Sequence, residues 1–267
     1  MPDPISLIGG GAIAAYIGKD GLEKLLGPTA SYLGDTLKEI TKSRIENIGK
    51  IFKKGERKLG EKANTKGQIP PKLLNTILGD ASFNEDELSI EYFGGILASS
   101  KSDTGRDDRG ASIAKLLDSL STYQIRAHYI LYKVFIDHYK EGDDISTFAT
   151  RSQIKVFIPY DKYIDAMEFS KKEMEDITRI FPHTLFGLHQ YGLIEGFEYG
   201  DANHMQAFLP STQDAGVGFV PSVKGLELLA WGLGVGDKDP SLLFSGGYIQ
   251  PEVNIPIPTQ GVVIVTK

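Results

Sequence analysis

Apolar side chains recur at three- and four-residue steps from Leu37 through Ile40, Ile45, Ile48, Ile51 and Phe52, which predicts an amphipathic helix running to about Leu59. Gly60, Asn64 and Gly67 interrupt it. Pro70 and Pro71 open a second helical block through Leu73, Leu74, Ile77 and Leu78, because proline is tolerated in a first turn where its missing N–H has no partner. A third helix is expected after a cap at Ser82 or Asn84, with Glu85, Asp86 and Glu87 in its first turn. Its buried face is Leu88, Tyr92, Phe93, Ile96 and Leu97. The polar run from Lys101 to Gly110 reads as a loop. Ser112 starts a short helix, and Ser121 caps a long one from Thr122 to about Lys140.

The texture changes after Gly142-Asp143-Asp144. Lys155-Val-Phe-Ile-Pro is β-prone, helical spacing returns from Ser170 through Leu188, and two strands are expected at Gln206–Leu209 and Gly218–Pro221. A helix from Ser222 to Gly232 follows. The tail from Pro240 carries Pro251, Pro256 and Pro258 before Val262-Val-Ile-Val-Thr, the pattern of an edge strand or a free arm. These elements predict a mainly α protein in three parts. Residues 1–145 form an N-terminal helical bundle, residues 146–239 a small α+β unit, and residues 240–267 an extended tail.

Of the 267 residues, 41% are hydrophobic and 24% charged, enough for a packed core. The formal net charge of -6 argues against coating nucleic acid or anionic lipid through overall charge. With no cysteine there is no thiolate metal site and no Cys nucleophile, which fits a reducing cytoplasm. The opening Met-Pro-Asp-Pro lacks the positive segment of a secretory signal. The apolar stretch over residues 5–18 falls short of the roughly 20 residues that span a bilayer.

Cations cluster at Lys50, Lys53, Lys54, Arg57 and Lys58 on one helix. They read as a solvated helix face, with phosphate or an anionic bilayer as the alternative ligand. No zinc, calcium or nucleotide motif holds up. The histidines lack metal spacing, the Asp103, Asp107 and Asp108 loop lacks a closing Glu, and Gly9-Gly-Gly-Ala-Ile-Ala has no βαβ context. Nor is there a nucleophile elbow or phosphate-binding Gly-Lys-Ser/Thr turn, so neither catalysis nor a cofactor is expected. Tyr123, Tyr129, Tyr132, Phe135 and Tyr139 read as core packing.

Two stretches carry a resemblance. The first runs from Ile69-Pro-Pro-Lys-Leu-Leu through Ala81, Glu85-Asp-Glu-Leu, Tyr92-Phe-Gly-Gly-Ile-Leu-Ala-Ser-Ser and Ile113-Ala-Lys-Leu-Leu-Asp-Ser-Leu-Ser. The second comprises Leu185, Leu188, Tyr191-Gly-Leu-Ile-Glu and Val220-Pro-Ser-Val-Lys-Gly-Leu-Glu-Leu-Leu. With Lys19-Asp-Gly-Leu-Glu-Lys-Leu-Leu upstream, this order resembles the abortive-infection alpha (Abi-alpha) family of bacterial proteins over roughly residues 19–232. The resemblance implies a role in phage-triggered abortive infection, and it offers no catalytic residues.

The α+β unit also resembles a winged helix, with Gln190-Tyr191-Gly192 ending the recognition-type helix and Asn203–Pro221 as its wing. Arg179, His183, His189 and Gln190 are the side chains that helix offers a partner, a thin cationic face for reading DNA. A protein partner or self-association is therefore expected ahead of nucleic acid. Residues 5–18 are the place where a cytoplasmic protein of this kind could touch a membrane.

Overall fold

The computed structural model describes residues 21, 24, 42–139 and 153–266. The apolar segment 5–18, the break at Gly27, the start of the first helix at Leu37 and the Gly142–Asp144 turn lie outside them. The described chain is mainly helical, with one small four-stranded antiparallel sheet. It forms two compact units, residues 1–119 with 230–253 and residues 120–229 with 254–267.

The first unit contains α1 (Lys42–Leu59), α2 (Pro71–Leu78), α3 (Glu87–Ser99) and α4 (Arg109–Asp118). It also takes the end of α10 (Val223–Leu233) and the short α11 (Ser241–Ser245). Its centre is α3, buried from Leu88 to Ser99 on every side, as expected of a helix enclosed by others. Glycine makes that enclosure possible. A Cβ on Gly94 would stand 3.0 Å from the Gly55 nitrogen of α1, and one on Gly95 only 1.8 Å from the Gly232 carbonyl oxygen of α10. Consecutive glycines thus let two different backbones approach α3.

The cap of α3 differs from expectation. Asp86 itself is the N-cap, accepting from the Ser89 N–H at 2.8 Å, so only Glu87 remains in the first turn. Similarly, α4 begins at Arg109 rather than Ser112. Lys101 is not loop surface: it is buried, and its ammonium donates to the carbonyls of Lys62, Ala63 and Thr65, which satisfies the turn that follows α1.

The second unit runs α5 (Thr122–His138), β1 (Lys155–Pro159), α6 (Tyr160–Met167), α7 (Lys171–Glu175), α8 (Ile177–Gln190), β2 (Ile194–Gly200), α9 (Ala202–Phe208), β3 (Gly216–Pro221), the start of α10, and β4 (Val263–Val265). The sheet order is β2-β3-β1-β4. The terminal strand therefore sits at an edge, paired to β1 with Val263 opposite Phe157. Val263 and Val265 pack on the cluster of Phe157, Met205 and Leu209.

The strand expected at Gln206–Leu209 is instead the helix α9 and its cap. Asp201 caps it, accepting from the His204 N–H at 2.9 Å, and Met205 and Leu209 are buried four residues apart. The boundary expected after residue 145 also moves. The helix α5 belongs to the second unit because its polar and aromatic groups are satisfied there. Ser121 and Gln124 form its capping box, and the Gln124 amide donates to the His183 carbonyl. The Tyr132 hydroxyl donates to the Leu193 carbonyl and accepts from the Ser222 N–H. Tyr129, Tyr132, Phe135 and Tyr139 are core as expected, whereas Tyr123 is half-buried and its hydroxyl donates to Glu173 at 2.6 Å. The tail expected to be extended from residue 240 opens instead with the helix α11, and it is likewise divided: residues 240–253 go with the first unit and the terminal strand with the second.

His128 is fully buried, and its Nε2 donates to the Gly225 carbonyl at 2.9 Å. Burial lowers its pKa from 6.5 to about 4, outweighing the carbonyl that favours the charged form. Between those values the unfolded chain binds the extra proton. Stability from this group is therefore complete above pH 6.5 and falls as pH drops toward 4, by about 3 kcal/mol in all. Urea unfolding across pH 7.5 to 4.5 should show this slope in the parent and a shallower one in His128→Gln.

Candidate binding surface

The helix α8 buries Phe181, Thr184, Leu185 and Leu188, three and four residues apart. Arg179, His183, Phe186 and Gln190 fall at i, i+4, i+7 and i+11 on the opposite, exposed face, and His189 lies at its margin. The predicted residues of this helix therefore share one surface. Its charge is small. Arg179 is the only permanent cation among the four predicted residues and pairs with Asp176 at 3.3 Å. The His183 ring meets the Ser121 hydroxyl at 3.1 Å, and the His189 ring packs edge-on against Phe197.

Aromatic rings dominate this face instead. Phe186 is 58% exposed, with its ring centroid 4.9 Å from Phe197 in an edge-to-face arrangement. Phe197 lies parallel to Tyr199 on the same side of β2, 6.3 Å away. Tyr199 meets Phe181 at 4.9 Å, and Phe181 continues to Tyr160, itself 38% exposed. Rings in this arrangement combine apolar area with little conformational entropy to lose, the property of interface anchors. The strand beneath them, β2, is an edge of the sheet.

Phe186, Phe197 and Tyr199 were not singled out from the sequence. Their signal in the sequence is Glu195-Gly-Phe-Glu-Tyr-Gly, whose aromatics at period two put Phe197 and Tyr199 on one side of a strand.

The basic residues of α1 belong to the other unit. Lys50 pairs with Glu87 at 3.0 Å near the surface, and Lys53 is exposed. Lys54, Arg57 and Lys58 converge instead on Glu91, whose side chain is wholly buried, at 2.6, 3.3 and 3.1 Å. Burial pushes the Glu91 carboxyl up, but Lys58 first and then Lys54 overcome it, leaving the net shift downward. For Lys58, burial wins and lowers the ammonium. Lys54, Arg57 and Lys58 are thus not the solvated helix face read from the sequence: they turn onto a carboxylate inside the fold.

Among the described residues no group of three or more His, Asp or Glu side chains can hold a metal ion. No described helix is long and apolar enough to cross a membrane. No family model matches the chain, nor does any curated protein or solved structure.

Proposed function

We propose that this chain is a non-enzymatic abortive-infection protein that binds an infection product or a host partner through the aromatic face of α8 and β2. The exposed Phe186, backed edge-on by Phe197, carries this reading, because an aromatic anchor on a rigid helix is suited to a protein surface. The Abi-alpha-like stretches support it from the other side. Their Gly94, Gly95 and Ser222 serve close packing and hydrogen bonding within each unit, leaving recognition to other residues.

The second unit is a winged helix in this reading. Support comes from the order α5, β1, α6, α7, α8, β2, α9, β3, with β3 lying between β2 and β1 and α8 running directly into β2. The wing carries α9 between its strands. A DNA reader in that position uses several cations and amides toward phosphates and base edges, whereas α8 offers one paired Arg.

The test is growth of bacteria carrying this gene under phage challenge at low and high phage-to-cell ratios, against an empty vector. Collapse at the high ratio with survival of the culture at the low one is expected. Equal sensitivity at both ratios would overturn the defence reading.

A further inference from the structure

Lys54, Arg57 and Lys58 stand at i, i+3 and i+4 on α1 and so share one face, toward Glu91 of α3. A second carboxylate joins them from later in the same unit. Glu252 lies 2.7 Å from the Lys54 ammonium and 3.4 Å from the Arg57 guanidinium, and its backbone N–H donates to Glu91 Oε1 at 2.9 Å. Arg57 also donates to the Gln250 carbonyl at 3.0 Å. Three cations therefore face two carboxylates, a formal excess of one positive charge.

The cluster also has donor capacity to spare. Arg57 Nε is buried and makes no hydrogen bond, while the wholly buried Lys58 ammonium is matched by Glu91 at 3.1 Å. Buried donors of this kind are costly to leave unmatched. Glu252, half exposed, comes from the segment of extended chain after α11 rather than from a helix. Without it the excess becomes two positive charges, with donors converging from one helix face.

We propose that Lys54 and Arg57, backed by the buried charge of Lys58, form a binding site for a small phosphate-class anion, and that Glu252 is its built-in occupant. A carboxylate supplies one negative charge and two oxygens there. A phosphate supplies nearly two charges and enough oxygens to accept from Arg57 Nε, which Glu252 leaves unmatched, as well as from Lys54. The tethered Glu252 competes at an effective concentration in the millimolar range, so an external anion must displace it to bind. The site is independent of the aromatic face of α8 and β2.

Titration calorimetry on the full chain with inorganic phosphate tests this, with sodium chloride at matched ionic strength as the control and phenyl phosphate as the monoester probe. Glu252→Gln should bind inorganic phosphate at least ten-fold more tightly than the parent. Adding Lys54→Gln to that variant should remove the gain. Stronger binding of phenyl phosphate than of inorganic phosphate would assign the site to a phosphate monoester, and the reverse order to the free ion. Equal phosphate affinity in the parent and Glu252→Gln, or an undiminished gain in the Lys54→Gln double variant, would overturn the proposal.

Discussion

Replacing Glu91 with glutamine is expected to destabilise the first unit by about 3–5 kcal/mol, because it leaves a cation buried without its counter-charge. Lys58 and Glu91 both have wholly buried side chains, whereas Lys54 and Arg57 retain some access to water. The lysine is therefore the group stranded by the change. Losing its proton limits the cost, since burial already lowers its pKa. Trp231, the sole tryptophan, is buried in the first unit, so its fluorescence in denaturant reports on that unit. Removing both charges, as Lys58→Met with Glu91→Leu, should recover much of the loss, because apolar replacements of a buried pair are often neutral or better. A single Glu91→Gln cost below about 1 kcal/mol, the range of exposed pairs, would show that the cluster is solvated.

Gly95→Ala should cost about 3 kcal/mol, at the upper end of what overpacking does. Alanine in a helix interior normally gains up to about 1 kcal/mol over glycine, so propensity alone predicts the opposite sign. The close approach decides between them. The added Cβ would lie 1.8 Å from the Gly232 carbonyl oxygen and 2.3 Å from its carbon, both backbone atoms that cannot swing aside. Thermal unfolding followed at Trp231 measures the effect. A neutral or stabilising alanine would contradict the contact between α3 and α10.

Helices with a clear stripe were legible in the sequence. The spacing of Ile48, Ile51 and Phe52 in α1 and the Ser121 to Gln124 capping box of α5 follow local rules that need no tertiary partner. Local signals misled where a short apolar run had two readings. Gln206–Leu209 looked like a strand, yet the Asp201 cap and the four-residue spacing of Met205 and Leu209 favour a helix. The division into units was not legible, because α5 is assigned by what Tyr132 and His128 bond to 60 and more positions later. The candidate site was half legible. The exposed residues of α8 follow from periodicity, but the pairing of Phe186 with Phe197 depends on how a helix lies on a strand. The α1 cations illustrate the same limit: their number is in the sequence, but Glu91 and Glu252 as their partners are set by the fold.

The most direct measurement is phage challenge of cells carrying the double variant Phe186→Asp, Phe197→Ser, alongside the parent and the empty vector. Thermal unfolding must first show that the variant still folds. The account predicts a folded protein that no longer triggers culture collapse at the high phage-to-cell ratio and no longer protects at the low one. A folded variant that defends as well as the parent would contradict recognition through the face of α8 and β2.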